Sequence, residues 1–190
     1  GGATTFCSGG SVTLTSNSTT GNQWSLDGNP IGGATNQTYV ASAAGNYTVT
    51  VTSGSCTSSA SAQTSVTLNA VPSTPTISAG GATTFCSGGS VTLTSNSATG
   101  NQWSLDGDPI GAATNQTYVA SAAGNYTVIV TNGGCSSSAS AQTSVTVNPT
   151  PATPTISASG ATSFCSGGSV TLTSSSTTGN QWSLDGNPIG

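Results

Sequence analysis

The stretch that decides the fold is Gly100-Asn101-Gln102-Trp103-Ser104-Leu105-Asp106-Gly107. Trp103 and Leu105 stand two apart, so an extended strand puts both on one face. Asp106-Gly107 then supplies a tight turn, because both residue types tolerate a positive φ. A Trp on a strand that runs into a hairpin buries more apolar area than any other residue in this chain, so the remaining strands are expected to form its cover. The same octapeptide surrounds Trp24 and Trp182, and these three are all the Trp residues present.

Working outward, the Phe-Cys pair recurs at Cys7, Cys86 and Cys165, 79 residues apart each time. That period suits one small β-sandwich per repeat and is too long for ankyrin, tetratricopeptide or leucine-rich solenoids. The expected domains are 1–71, without its first strand, 72–150, complete, and 151–190, the N-terminal half of a third. The chain opens inside a repeat, which reads as a window on a longer array.

The complete repeat carries short strands separated by turn signals. Thr74–Ser78 follows a Pro-bounded joint, and Thr83–Cys86 continues extended. Ser90–Ser95 alternates, with Val91 and Leu93 inward. Gln102–Leu105 holds the Trp, and Ile110 is placed to return to the core. Asn115–Ala120, Asn125–Val130 and Ser144–Val147 follow, with Asn132-Gly133-Gly134 as a hairpin signal just before Cys135. This spacing predicts an all-β sandwich. The expected core centres are Trp24, Tyr47, Trp103, Tyr126 and Trp182. The high Ser and Thr content is not read as disorder, since the apolar residues are periodic and Thr suits strands.

Charge is nearly absent: there is no Lys, Arg or His, and the acids are Asp27, Asp106, Asp108 and Asp185. Nucleic-acid binding and attraction to anionic membranes both need basic side chains and are excluded. No apolar run approaches the ~20 residues of a membrane span, so no membrane insertion is expected. No base is available to activate a Ser or a thiol, and no carboxylate pair repeats, so no enzyme activity is expected. The absence of Lys and Arg also removes every trypsin site, which suits an exposed extracellular protein.

Gly88–Thr94, then Trp103 with Asp106-Gly107, then Ala123-Gly124-Asn125-Tyr126 resembles the immunoglobulin-like pattern of strands B, C and F, with Tyr126 at the position of that family's tyrosine corner. The wording is similar to the tandem Ig-like repeats of large surface adhesins and filament proteins in Bacteroidota, where Phe-Cys-x-Gly-Gly precedes strand B and Gly-Cys follows strand F. The resemblance covers all 190 residues. It implies tandem immunoglobulin-like β-sandwich repeats in a cell-surface, extracellular stalk exported by the type IX route. It also implies contact with a host or prey surface or a glycan through regions outside this segment. One departure is that the usual inter-sheet cysteine positions on B and F are Ser95 and Val128 here.

The cysteines are Cys7, Cys56, Cys86, Cys135 and Cys165. Without His or Cys-x-x-Cys a zinc site is not expected, and a disulfide framework is. Strands B and F run parallel in an Ig sandwich, so Cys86 before B and Cys135 after F would lie at opposite ends. A strand of that length spans ~20 Å, and a disulfide needs Cα atoms within ~7 Å. Head-to-tail domains would instead pair Cys7 with Cys135, Cys86 with a following repeat and Cys56 with a preceding one. This inter-domain version is preferred. The within-repeat pairs Cys7–Cys56 and Cys86–Cys135 and bonds between chains stay open.

Asp106-Gly107-Asp108 resembles a fragment of a calcium loop, but Asn29 replaces Asp108 in the first repeat, and a hairpin turn is the better reading. No cofactor is expected. Thr-x-Thr rows are read as ordinary solvated strand faces, and the Asn-x-Thr matches at Asn36, Asn46, Asn115 and Asn125 as a consequence of composition. Ile129 replaces Thr50 on the outward face of strand F and is a candidate chain–chain contact. With little charge to keep copies apart, a homo-oligomer or bundled filament is expected. The expected function is therefore a disulfide-stapled, tension-carrying stalk. The alternatives are a polysaccharide- or ice-binding module and a spacer of a secreted hydrolase.

Overall fold

The structure is a computed structural model that describes residues 4–189. It is all-β. The first repeat contains β1 (Thr5–Cys7), β2 (Val12–Thr15), β3 (Asn22–Leu26), β4 (Asn29–Pro30), β5 (Thr38–Ala41), β6 (Gly45–Ser53), β7 (Cys56–Thr57) and β8 (Thr64–Asn69). The second contains β9 (Ile77–Ala79), β10 (Thr84–Cys86), β11 (Val91–Ser95), β12 (Asn101–Leu105), β13 (Asp108–Pro109), β14 (Thr117–Ala120), β15 (Gly124–Asn132), β16 (Cys135–Ser136) and β17 (Thr143–Asn148).

In the second repeat one sheet has the order β10-β17-β15-β12-β13 and the other β14-β11-β9. This is the immunoglobulin-like sandwich, with strands G, F and C in one layer and A, B and E in the other. The first repeat repeats it as β1-β8-β6-β3-β4 against β2-β5. In both, the Phe-Cys strand runs parallel to strand G, with Phe85 beside Val147 and Phe6 beside Leu68.

Each sandwich encloses its own core. Val91, Leu93 and Ala120 from one sheet meet Trp103, Tyr126, Val128 and Val145 from the other. Leu14 and Ala41 meet Trp24, Tyr47 and Val66 in the first repeat. Trp103 is fully buried, and its indole Nε1–H donates to the Asn115 carbonyl at 2.9 Å, so burial leaves no polar atom unpaired. Tyr118 lies between Trp103 and Tyr126, with ring centroids 6.0 and 5.7 Å away. Tyr126 Oη donates to the Ala122 carbonyl at 2.9 Å, and Tyr47 Oη to Ala43 at 3.0 Å, which is the tyrosine-corner contact. Burial pushes both phenols above their ordinary pKa, the neighbouring Tyr118 or Tyr39 adds to this, and the bond to the backbone partly offsets it.

The Asp-Gly turns have positive φ at both positions, 52° and 96° at Asp106 and Gly107, the I′ geometry that matches strand twist. Asp106 Oδ1 accepts the Asn125 N–H at 2.8 Å, and Asp27 does the same for Asn46 at 2.9 Å. These carboxylates thus tie the C-strand hairpin to strand F. Among the described residues no group of three or more His, Cys, Asp or Glu is placed to hold a metal ion. The Ser-rich run before strand G is ordered by its hydroxyls: Ser140 Oγ accepts the Val128 N–H and Ser137 Oγ the Val130 N–H, at 3.1 and 3.0 Å.

The chain divides into two compact units, Gly1–Asn148 and Pro149–Gly190. The second unit holds β18 (Ile156–Ala158), β19 (Leu172–Ser174), β20 (Trp182–Leu184) and β21 (Asn187–Ile189), paired β18-β19 and β20-β21. Here Trp182 is only half-buried, and Ile156, Phe164 and Leu184 are exposed. Two-stranded sheets cannot enclose an indole as the two full sandwiches do.

Candidate functional site

The chemistry of this chain concentrates where the first two repeats meet. Cys7 ends β1, and the parallel register sets it beside Asn69, the last residue of β8. From the second repeat comes the hairpin of β15 and β16, in which Asn132 pairs with Cys135 across Gly133-Gly134. Both glycines have positive φ, 56° and 80°, a turn that glycine makes without strain.

Cys7 and Cys135 are joined by a disulfide, with Cα atoms 5.6 Å apart and 128 residues between them in sequence. Beside it, Asn69 Nδ2 donates to the Gly133 carbonyl at 2.7 Å. A Cβ on Gly133 would come within 2.9 Å of the same Nδ2, so the close approach needs glycine for space as well as for φ. Cys135 is 1% exposed, whereas its counterpart Cys56 is exposed. The difference is the cover that the first repeat provides.

The within-repeat pairs Cys7–Cys56 and Cys86–Cys135 are not formed, and strand polarity explains why. Cys7 lies at the end of β8, while Cys56 follows β6, which is antiparallel to β8. The two thiols therefore sit at opposite ends of one sheet, and Cys86 and Cys135 are separated in the same way. Cys56, Cys86 and Cys165 are exposed free thiols among the described residues. The partners expected for Cys56 and Cys86 in neighbouring repeats lie outside the described residues. Ser95 and Val128, at the places of the family's core cysteines, are both fully buried. Ile129 is half-buried opposite Gln102, between the buried Val128 and Val130, and so on the outer face of its strand.

Sequence reasoning missed Asn69 and Gly133 as partners, Tyr39 and Tyr118 as the aromatic links between Trp and Tyr, and the Ser137 and Ser140 hydroxyls. A signal did exist for Asn69, since Asn148 occupies the same strand end 79 residues later.

No family model matches the chain, and no curated protein matches it. Solved structures of similar shape are found. One is a chain from the mouse coronavirus receptor-binding domain complexed with its murine receptor, at 15% identity and TM-score 0.47, covering 76% of this chain and 96% of that one. Domains A168-A170 of titin align at 18% identity and TM-score 0.43, covering 77% of this chain and 62% of that one. The ectodomain of mouse nectin-like molecule 4 aligns at 15% identity and TM-score 0.33, with coverages of 77% and 62%.

Proposed function

We propose that this chain is a segment of an extracellular, cell-surface bacterial stalk or filament whose work is to carry tension. The observation that supports this reading most directly is the Cys7–Cys135 bond between successive repeats. Force applied to the two ends of the chain crosses from Cys7 to Cys135 through the disulfide, so the residues between them are shielded from it, while β1 and β17, outside the bridged loop, still carry the load. A disulfide also requires an oxidising compartment to persist, which fits export beyond the cytoplasm. The Bacteroidota-like wording of the repeats points to a type IX secreted adhesin, with the target, a host or prey surface or a glycan, met by other regions. Copies associate through their nearly uncharged faces, with Ile129 as a contact.

Single-molecule extension from the chain ends tests the mechanical part. The bond hides 128 residues, so the oxidised chain is expected to fall short of the reduced chain by about 450 Å of contour length at ~3.5 Å per residue. Equal extension in both redox states would overturn the reading.

A further inference from the structure

In the second repeat the two main sheets end at β10, β13, β9 and β14. Nearly all of these edges are short or guarded. β13 is two residues long and ends at Pro109, β10 has three residues, and β9 has three and follows closely on Pro75. Strand E, β14, is the exception: four residues, Thr-Tyr-Val-Ala, with neither charge nor Pro. β5 ends its sheet in the first repeat with the same four residues. A further strand on this side would have to come from the chain between strands C and E. In both repeats that stretch is present and, after the short β4 and β13, passes as the loops 31–37 and 110–116 without adding one. The open edge is therefore a property of the repeat itself.

The ladder determines which backbone groups face out. Ser95 donates its N–H to the Gln116 carbonyl at 2.9 Å, and Leu93 and Val91 stand opposite Tyr118 and Ala120. Alternation along the strand turns Gln116, Tyr118 and Ala120 toward β11, and the N–H and C=O groups of Thr117 and Val119 away from it. Ser16 and the Gln37 carbonyl, also at 2.9 Å, set the same parity in the first repeat, so Thr38 and Val40 turn outward there. Side chains alternate too. Tyr118 and Ala120 pack on the core, while Val119 is 58% exposed and Val40 57%. A β-branched apolar side chain on an uncharged, Pro-free edge is a template for another strand. Beside β14 lies a groove of about 430 Å³, whose other wall is built from the small residues Gly111, Ala112 and Ala113.

We propose that strand E is the surface through which copies of this chain pair, edge to edge and antiparallel, each taking strand E of a second copy. The proposal rests on the reading above that the chain assembles with itself, and it adds to Ile129, which the first repeat lacks, a surface that both repeats carry. A second copy fits this edge for reasons of sequence and symmetry. Residues 34–46 and 113–125 are identical, so each repeat offers the same edge. Neither β5 nor β14 has a charged side chain, so no like charges meet when two copies pair. Thr117 and Val119 flank Tyr118. An antiparallel copy sets Thr117 opposite Val119 and Val119 opposite Thr117, each pair exchanging both N–H···O bonds about a two-fold axis at Tyr118. A chain with two such edges can engage more than one partner, which extends pairing to a bundle.

The test uses the 190-residue chain with Cys7–Cys135 formed and the exposed thiols of Cys56, Cys86 and Cys165 alkylated. Sedimentation over a range of concentrations reads association, and amide hydrogen exchange by NMR reads the edge. The expected result is association in which the amides of Thr38, Val40, Thr117 and Val119 exchange freely in dilute solution and gain protection as copies pair. Val40→Lys combined with Val119→Lys is expected to raise the concentration of half-association by at least about tenfold, because lysine guards an edge against a second strand. Val119→Lys alone leaves one edge and stops association at dimers. Ile129→Lys leaves the edge amides protected. Strand F amides in β15 confirm that each variant is folded, and the exchange readout on the unaltered chain needs no variant. Association that the double lysine variant does not weaken, or that leaves the edge amides unprotected, overturns the proposal while self-assembly stands. A chain monomeric at every concentration overturns both, and the extension measurement then judges the stapled stalk on its own.

Discussion

Removing the staple has a consequence that depends on where it sits. Consider Cys7→Ser, which leaves the half-buried side of the bond as a hydroxyl. When the second repeat unfolds and the first stays folded, the bond holds a loop anchored at Asn69 and Cys135, 66 residues apart. Closing a loop of that size in the unfolded chain costs about 4.3 kcal/mol of entropy. The loop for the first repeat is of similar length. With both repeats unfolded the loop is 128 residues, at about 4.9 kcal/mol, so the second unfolding event adds only ~0.6 kcal/mol. The staple thus penalises either half-unfolded state by nearly as much as complete unfolding, and so makes the two sandwiches unfold as one. Hydrogen exchange of β6 and β15 over increasing urea reads this directly. In the oxidised chain the two strands are expected to lose protection together. In Cys7→Ser they separate, β6 first, because Val12 and Val49 are less covered than Val91 and Val128. If β6 protection in Cys7→Ser stays within about 1 kcal/mol of the oxidised chain, the loop-entropy reasoning is refuted.

Two further outcomes follow from local geometry. Ala112 sits at φ 59°, where the first repeat has Gly33 at φ 74°. Ala112→Gly relieves ~1–2 kcal/mol of left-handed strain against 0.4–1 kcal/mol of added unfolded-state entropy, and is expected to stabilise the second repeat by up to about 1 kcal/mol in urea. Tyr47 and Tyr126 have raised pKa values, so the unfolded chain gives up these protons first. Stability is then level below the unfolded pKa of ~10 and falls as pH rises from there through the folded values. Tyr126→Phe removes part of that alkaline fall and costs about 1 kcal/mol at neutral pH, by orphaning the Ala122 carbonyl. Chemical denaturation at a series of alkaline pH values checks both.

What could be read in advance was whatever a single repeat writes twice. The 79-residue spacing, the Trp strand and the Asp-Gly hairpin are local patterns, and each appears in the structure where alternation and turn chemistry put it. The disulfide is legible only through strand polarity, because opposite ends of a sheet are too far apart for a bond. Boundaries shifted where side chains act in place of pattern. Strand F begins at Gly124 and runs to Asn132, beyond the Val130 its alternation suggests, because hairpin pairing with Cys135–Ser136 extends it. Tyr118 carried no sign of its place between two aromatic rings, since the meeting of strands E, C and F is a tertiary fact. The Ser137 and Ser140 hydroxyls were hidden for the opposite reason: serine in a Ser-Ala run looks like a linker until a neighbouring strand presents N–H groups to it.

The composition leaves this protein few ways to hold one domain against another. With no Lys, Arg or His, side-chain ion pairs cannot set the angle between the repeats, and little about the junction responds to salt. The non-covalent link beside the disulfide is one hydrogen bond, donated by Asn69 Nδ2 to the Gly133 carbonyl, and a bond of this kind nets only about 1 kcal/mol. Such a contact selects a register but does not keep it under load. The disulfide supplies persistence, and its setting makes that persistence asymmetric. Cys135 is nearly inaccessible, while Cys7 remains partly exposed. A reducing thiolate must therefore approach from the side of the first repeat, and exchange depends on that access. Whether the two sandwiches behave as one stiff element or as two beads on a Pro-bounded joint is thus decided by the redox state of a single bond rather than by the area of an interface.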